Sequence, residues 1–277
     1  MVIDRKWDRL TALLREMKLA VIAYSGGVDS SVLLKAAAGA MGPHLIAVTA
    51  VSETYPPDEL APAREFALSL GVSHRVLPTE ELTSEEFIRN SPERCYFCKR
   101  ELFIKLKQIA DAEGIPFILD GSNVDDLKDL RPGRRAAQEL SVRSPLVEAG
   151  LSKAEVRALA RRLDLPMWDK PSLACLSSRI PYGTRITLHI LNRVRNAEDA
   201  VRGFGFRQVR VRHHGDTARI EVTREDFSRL LSGDVASAIV QALKELGYTY
   251  VCLDLAGYRT GSMNEGMGRP KVVGSKQ

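Results

Sequence analysis

The sequence predicts an α/β fold, in which a parallel sheet with helices on both faces is followed by a smaller α+β domain. The first observation is that short apolar runs alternate with helical segments through the first half of the chain, which indicates buried parallel strands joined by right-handed crossovers. The second is that polar and apolar residues alternate within the later strands, which is typical of a sheet with one face in water.

Apolar spacing, glycine and proline define the elements of the first half. Helical spacing from Trp7 to Met17 predicts a first helix over residues 4–18, and the apolar run 19–24 predicts a strand that ends at Gly26. The other expected elements are strands over 44–51, 74–79 and 115–121, and helices over 30–42, 56–71, 83–113 with a break near Pro92, 134–140 and 152–163.

Prolines and a glycine crowd residues 166–185, so this stretch is predicted to be a linker or an active-site loop. Cys252, in the last predicted strand, is expected to pack in the core, although alternation places it on the side of Tyr250 and Asp254, where it would be only half buried. The elements expected after the loop are a helix over 187–203, strands over 207–214 and 218–222, a helical stretch over 224–246 and a strand over 248–255. The predicted domains are residues 1–170, a loop over 171–186, a smaller domain over 187–265 and a frayed tail over 266–277.

The composition is that of a globular protein, since 44% of the 277 residues are hydrophobic and 27% are charged. No apolar run reaches the roughly 18 residues of a membrane span, and the charged N-terminus lacks the apolar core of a signal peptide, so we expect a cytoplasmic protein without membrane partners. The net charge of +5 suits a small nucleotide and does not indicate nucleic acid. A homo-oligomer is expected, and the helical stretch 224–246 would suit either an interface or an ordinary surface.

The segment AYSGGVDSS, residues 23–31, joins a predicted strand to a predicted helix. Its glycines allow a tight turn that presents amide groups, its serines add hydroxyl groups, and a helix N-terminus favours anions. Neither a GxxxxGK[ST] nor a GxGxxG string is present, which disfavours kinase and dinucleotide redox chemistry. We therefore predict a cradle for a di- or triphosphate at Ser25, Gly26, Gly27, Asp29 and Ser30, with Asp29 as a Mg²⁺ ligand. The string resembles the SGGxDS loop of the PP-loop ATP pyrophosphatases, and this resemblance implies that the ligand is ATP and that the substrate becomes adenylated.

The end of a second predicted strand supports the same position for the phosphate site. The segment LDGSNVDD, residues 119–126, ends a predicted strand at a turn from which Gly121 can contact ATP, and Asn123 and Asp125 can contact the substrate. An Asx turn before a helix is the structural alternative. Arg131, just before a Pro–Gly turn, is predicted to contact a phosphate, although an exposed basic loop would contain the same residues.

The stretch SLACLSSRIPYG places Cys175 in a polar loop near the cations Lys170 and Arg179, which favour the reactive thiolate. An adenylated carboxylate is a strong electrophile with AMP as its leaving group. We therefore predict that Cys175 is the catalytic nucleophile and attacks such a group to give a thioester. An inert, partly buried thiol is the alternative.

Cys95 and Cys98 form a CxxC pair whose role the sequence leaves open. Free thiols, a zinc site and a redox pair are all compatible with this spacing. A further interpretation joins the pair to Cys175 as three ligands of a [4Fe–4S] cluster, whose remaining iron is free to bind sulfide.

Several motifs run along the chain in an order that is found in a known family. They are AYSGGVDSS, SPERCYFCKREL, DGSNVDDL, RPG, SPLVEAGLSKAEVR, WDKPSLACLSSRIPYGTRIT and LDLAGYRTGSMNE. Over roughly residues 5–265 they resemble the LarE family, ATP-dependent sulfur transferases of the PP-loop ATP pyrophosphatase superfamily that build the nickel-pincer nucleotide cofactor of lactate racemase. The ACLSSRIPYG block is specific to this family, whereas the SGGxDS loop is shared more widely.

The resemblance implies a mechanism and a set of ligands. ATP with Mg²⁺ would adenylate a carboxylate of pyridinium-3,5-biscarboxylic acid mononucleotide, and Cys175 would displace AMP, give its sulfur to the product and become dehydroalanine. The CxxC pair departs from the single-cysteine members, so sulfide from a cluster on Cys95, Cys98 and Cys175 is the alternative. The resemblance also implies phosphate contacts at Ser178 and Arg179 of the loop and at Arg210 and Arg212 of the smaller domain, with Glu198 and Glu221 as metal ligands. A solvated helix and a polar strand face are the structural alternative for the residues of the smaller domain.

Three other functions remain open. A tRNA thiolase would use the same loop but would need a broad basic surface for its substrate. An amide-forming synthetase would need a source of ammonia and would leave the block around Cys175 unexplained. A nucleotide-binding regulator would release no pyrophosphate from ATP.

Overall fold

The structure is a computed structural model that describes residues 2–127, 132–171, 174–259 and 262. The chain divides into two compact units, Met1–Cys175 and Leu176–Gln277. The division falls inside the segment 171–186 that the sequence predicts as a loop, and the predicted tail, 266–277, lies outside the described residues. Among the described helices, none combines the length and the apolar character needed to cross a membrane.

A parallel four-stranded sheet forms the centre of the first unit. Its strands are β1 Ala20–Ala23, β2 Leu45–Val51, β3 Ser73–Pro78 and β4 Ile118–Leu119, in the order β3-β2-β1-β4. Val21 of β1 lies opposite Ile46 on one side and Ile118 on the other, so the central strand is paired along both edges. The predicted fold class is confirmed, although β4 is much shorter than the strand expected over 115–121.

Helices cover both faces of this sheet. They are α1 Val2–Met17, α2 Val28–Met41, α3 Leu60–Ser69, α4 Glu85–Ile88, α5 Arg94–Ala112, α6 Pro132–Glu139, α7 Pro145–Glu148 and α8 Lys153–Arg162. The helical stretch expected over 83–113 is indeed broken, because buried Asn90 adopts a left-handed conformation with φ +55° between α4 and α5. The short helix α7 was not predicted.

Alternate residues of β1 pack into different apolar clusters, as the period of a strand requires. Ile22 packs with Leu10, Leu33 and other side chains of α1, α2 and α8 on one face. Val21 packs on the other face with side chains of α5 and α6, including Phe103. Burying one such side chain is worth about 1.5–3 kcal/mol, so the two clusters fix β1 and the loop that follows it.

The second unit contains a three-stranded mixed sheet with helices on one face. Its elements are α9 Leu188–Gly203, β5 Arg210–His214, β6 Thr217–Glu221, α10 Phe227–Leu230, α11 Gly233–Glu245 and β7 Tyr250–Leu253. The strand order is β5-β6-β7, with β5 antiparallel and β7 parallel to β6. Val211 and Ile220 of the sheet pack with Val201 of α9 and Leu243 of α11.

Two predictions for the second unit are wrong. The alternation in β5 suggested a strand with one face in water, but Arg210 and Arg212 on its polar face are each only 8% exposed. These arginines are buried among other charged groups, which a pattern of polar and apolar residues does not reveal. Cys252 was expected in the core but is exposed, because its neighbours Val251 and Leu253 take the apolar face of β7.

Candidate functional site

The loop between β1 and α2 is shaped by a glycine that no larger residue can replace without strain. Gly26 has φ +74°, and a Cβ atom on it would lie only 2.9 Å from the Cβ of Ala63 in α3. Gly27 is the N-cap of α2 and makes no side-chain cap hydrogen bond. The N-terminus of α2 is therefore suited to an anion, as predicted for a phosphate loop.

The serines of this loop and the glycine after β4 lie together. The hydroxyl groups of Ser25 and Ser30 are 3.2 Å apart, and Ser30 also donates to the Gly27 carbonyl oxygen at 3.1 Å. A Cβ atom at Gly121 would lie 2.9 Å from the Ser30 nitrogen. The lack of a side chain at residue 121 thus lets the end of β4 approach the first turn of α2.

Both carboxylate oxygens of Asp29, in the first turn of α2, are engaged. Its Oδ1 accepts a hydrogen bond of 3.1 Å from the Asn123 side chain, and its Oδ2 forms an ion pair with the Lys153 ammonium group. The Lys153 backbone amide in turn donates to Asp125 Oδ2 at 2.8 Å. The structure therefore brings together Asp29, Asn123 and Asp125, as the sequence predicts, whereas Arg131 lies outside the described residues.

Two residues of this site were missed by the sequence analysis. Lys153 was recognised only as part of a helix start, and no local signal marks it as the partner of an aspartate 124 residues earlier. Tyr55 donates a hydrogen bond of 3.2 Å to the Ser25 carbonyl oxygen and so helps to fix the loop. Asp29 offers hard oxygen ligands for Mg²⁺, but both its oxygens are already engaged, so its role as a metal ligand stays a prediction.

The first turn of α5 carries Cys95 and Cys98. The Cys98 thiol donates to Glu81 Oε1 at 3.6 Å, and burial, together with the negative charges of Glu81 and Cys175, raises the pKa of Cys98 well above its ordinary value. Cys95 is exposed as a whole residue, yet burial of its thiol raises its pKa too, and Cys175 acts in the same direction. Because Cys175 contributes to the raised pKa of both Cys95 and Cys98, the three thiols lie near one another.

All four cysteines lie within the described residues, and none of them forms a disulfide bond. Within the described ranges, no three side chains of His, Cys, Asp or Glu are arranged to hold a metal ion. Three thiols in one neighbourhood are the right donors for an iron–sulfur cluster, but they do not have a ligating arrangement. The cluster on Cys95, Cys98 and Cys175 therefore stays a prediction.

The second unit contains a buried group of charges around Glu198, which is fully buried. Its carboxylate accepts hydrogen bonds from Arg179 Nε at 2.7 Å, Arg202 Nη2 at 2.7 Å and the Val211 amide at 3.1 Å. Burial would by itself raise the pKa of Glu198, but the arginines, with Arg179 first and Arg210 next, outweigh it and lower the pKa.

A second buried carboxylate, Glu221, is held by a two-pronged contact with Arg212. The Nε and Nη2 atoms of Arg212 donate to the two carboxylate oxygens at 2.9 and 2.8 Å, while its Nη1 donates to the Ser178 carbonyl oxygen at 2.7 Å. Burial and the nearby Arg179 lower the pKa of Arg210 to about 10.

Arginines outnumber carboxylates in this group, which suits an anionic ligand. Both carboxylates take arginine donors, so their role as metal ligands stays a prediction, as do the phosphate contacts predicted for Ser178, Arg179, Arg210 and Arg212.

Comparison with known proteins identifies the family. The asparagine synthase family matches residues 20–112, which span β1 to α5. An uncharacterized protein of Synechocystis sp. is 43% identical over 263 residues, which is 95% of this chain and 98% of that protein. A pyridinium-3,5-bisthiocarboxylic acid mononucleotide synthase of Lactiplantibacillus plantarum is 36% identical over 265 residues, which is 95% of both chains.

A tRNA-specific 2-thiouridylase of Azorhizobium caulinodans is 32% identical over 194 residues, but the match covers only 54% of this chain and 48% of the thiouridylase. The resemblance to tRNA thiolases therefore indicates a shared superfamily and not a shared family. The match to the L. plantarum synthase extends through both units, and the predicted family is confirmed. The chain belongs to the LarE family and is a sulfurtransferase of the PP-loop ATP pyrophosphatase type.

Proposed function

We propose that the protein adenylates a carboxylate of pyridinium-3,5-biscarboxylic acid mononucleotide and converts it to a thiocarboxylate. The observation that carries this proposal is the match over 95% of the chain to a synthase named for the bisthiocarboxylic acid product. The loop between β1 and α2 supports the ATP-dependent step, because its tight glycine turn and open helix N-terminus suit a polyphosphate. Mg²⁺ is expected with the ATP.

In the first step, a carboxylate oxygen of the substrate attacks the α-phosphorus of ATP, and pyrophosphate leaves. Ser25, Gly26, Gly27 and Ser30 hold the departing phosphates through hydroxyl and amide groups. Gly121 has no side chain, so the end of β4 can lie close to these residues. Mg²⁺, with Asp29 as its predicted ligand, supplies positive charge to the phosphate oxygens when bound. The product is an acyl-adenylate.

In the second step, the Cys175 thiolate attacks the acyl carbon and displaces AMP, which forms a thioester. A base then removes the Cα proton of Cys175 and the Cβ–S bond breaks, so the electron pair of that bond stays on sulfur. The product leaves as a thiocarboxylate, and residue 175 becomes dehydroalanine. Each chain would thus donate one sulfur atom.

The alternative source of sulfur is sulfide bound by a cluster on Cys95, Cys98 and Cys175. It is supported by the neighbourhood that the three thiols share. In the second unit, Arg210, Arg212, Ser178 and Arg179 are proposed to bind the substrate phosphate. The cytoplasmic location and the homo-oligomer stay predictions.

Intact-protein mass spectrometry tests the route. After reaction with ATP, Mg²⁺ and the dicarboxylate nucleotide, we expect a mass loss equal to H₂S that maps to Cys175. Cys175→Ser should still release pyrophosphate but form no thiocarboxylate, whereas the matched control Cys252→Ser should react like the wild type. Unchanged mass with continued turnover, and loss of that turnover in Cys95→Ser, would instead establish the cluster route.

A further inference from the structure

Helix α8 begins beside Asp29 and Asp125, at the site proposed to bind ATP. Its first residue, Lys153, contacts Asp29 through its side chain and Asp125 through its backbone amide. A capping box fixes this end of the helix, since Ser152 accepts from the Glu155 amide and the Glu155 side chain accepts from the Ser152 amide. The N-terminus of α8 is thus attached to the first turn of α2, which is part of the site proposed to bind ATP.

One turn further along α8, Arg157 binds a different part of the chain. Its Nη1 donates to the Trp168 carbonyl oxygen at 2.9 Å, and its Nη2 donates to the Lys170 carbonyl oxygen at 2.8 Å. The planar guanidinium group can hold both carbonyl groups at once, which a lysine ammonium group cannot do with the same geometry. Arg157 therefore fixes the backbone carbonyl groups of residues 168 and 170, which precede Cys175 in the chain.

The same segment is attached from a second direction. The Lys170 ammonium group forms a partly buried ion pair with Glu59, just before α3. Glu59 is close to the nucleotide loop, because its carbonyl oxygen lies 3.7 Å from the position of a Cβ atom on Gly26. Both attachments thus connect residues 168–170 to elements that contact the loop.

These contacts limit where Cys175 can lie. Lys153 and Arg157 are four residues apart on one helix, which places their Cα atoms about 6 Å apart along its axis. Cys175 follows Lys170 by five positions, so its Cα atom stays within about 18 Å of the Cα atom of Lys170. A free segment would leave the thiol to search a much larger volume.

We propose that Arg157 is a positioning residue, which fastens residues 168–170, five to seven positions before Cys175, to the helix that contacts Asp29. It acts on sulfur transfer and not on adenylation, because its side chain binds the carbonyl groups of residues 168 and 170 and not the residues of the loop between β1 and α2. This inference rests on the proposed function in its assignment of Cys175 as the sulfur donor. Misplacing a reacting group by about 1 Å can lower a rate about 100-fold.

The test compares Arg157→Ala and Arg157→Lys with Arg162→Ala, an exposed arginine on the same helix that pairs with Asp4. In single turnover with ATP, Mg²⁺ and the dicarboxylate nucleotide, Arg157→Ala should release pyrophosphate within about twofold of the wild type. Its thiocarboxylate formation should fall by about 10- to 100-fold. Arg157→Lys should lie between, and Arg162→Ala should match the wild type.

Two further readouts separate positioning from a general structural effect. Hydroxylamine, which diffuses freely, should trap the acyl-adenylate equally well in the wild type and in Arg157→Ala. Hydrogen exchange of the Trp168 and Lys170 amides, measured without substrate, should be faster in Arg157→Ala and unchanged in Arg162→Ala.

The inference is overturned if sulfur transfer in the folded variants is unchanged, if adenylation falls in parallel with it, or if amide exchange over residues 168–170 is unaffected. If Arg157→Ala does not fold, Arg157→Lys decides by the same criteria. Wild-type protein that forms no thiocarboxylate would refute the proposed function, while the exchange measurement would still decide whether Arg157 fixes the segment.

Discussion

At the scale of single residues, the site depends on positions where a side chain is absent or is held by a distant partner. Gly121 carries no Cβ, and this lets the end of β4 reach the first turn of α2. Asp29 is oriented by Asn123 and Lys153, because the amide and the ammonium group each hold one of its carboxylate oxygens. The sequence identifies Asp29 and Gly121 as candidates, but only the fold supplies Lys153.

Gly121→Ala should weaken ATP binding by about tenfold or more, because its new methyl group would push against the Ser30 backbone at 2.9 Å. Isothermal titration calorimetry with ATP and Mg²⁺ measures this. The matched control is Gly39→Ala within α2, where a Cβ atom meets nothing within 4 Å. That control should bind ATP normally and gain up to about 1 kcal/mol of stability. Unaltered ATP affinity in Gly121→Ala would remove Gly121 from the predicted site.

At the scale of elements, the boundaries between helices are set by a few residues in unusual conformations. Asn90 separates α4 from α5, is fully buried, and its side-chain oxygen accepts a hydrogen bond from Arg94. This break sets where α5 begins and therefore where Cys95 and Cys98 lie in its first turn. The sequence placed the break near Pro92, although the left-handed residue is Asn90.

Asn90→Ala should lower the free energy of unfolding by about 2–4 kcal/mol, through left-handed strain and loss of the acceptor for Arg94. Urea unfolding followed by tryptophan fluorescence reports on the first unit, because Trp7 and Trp168 both lie there. Asn90→Gly should lose less, since glycine relieves the strain. Ser141→Ala is the control, because Ser141 has a similar φ of +56° but is exposed. An equal, small loss in both alanine variants would mean that burial and the Arg94 contact contribute nothing.

The buried charges of the second unit should make its stability depend on pH. The arginines lower the pKa of Glu198 in the folded state, so the ionised form stabilises the fold. This contribution is complete above the unfolded pKa of about 4.3 and is lost as the pH falls through the lower folded value.

Glu198→Gln should lower the free energy of unfolding by roughly 3–5 kcal/mol at pH 7, because it leaves buried arginines without their charged partner. The difference from the wild type should shrink as the pH falls below about 4. Urea unfolding followed by circular dichroism at both pH values measures this, with the exposed Glu245→Gln as control. A difference that stays constant from pH 7 to pH 3 would contradict the assignment.

At the scale of the whole molecule, the order of the elements was largely readable. Continuous apolar runs predicted the parallel strands, and the glycines of SGGVDS predicted the loop, because strand burial and tight turns leave local signals. The wrong predictions, for β5 and for Cys252 in β7, concern whether one face of a strand is buried. The period of β5 correctly placed Arg210 and Arg212 on one side, but it could not tell a buried charged face from a wet one.

The sequence by itself determined the fold class, the tight turn between β1 and α2 and the family, because each of these is carried by a local pattern or by motifs in order along the chain. Only the tertiary structure decided that Lys153 pairs with Asp29 and that Arg157 binds the carbonyl groups of residues 168 and 170. It also decided that Cys175 lies near enough to raise the pKa of both Cys95 and Cys98. The physical reason is that hydrogen bonds and ion pairs depend on distance in space. The fold brings together groups that are far apart in the sequence, and no local periodicity encodes such contacts.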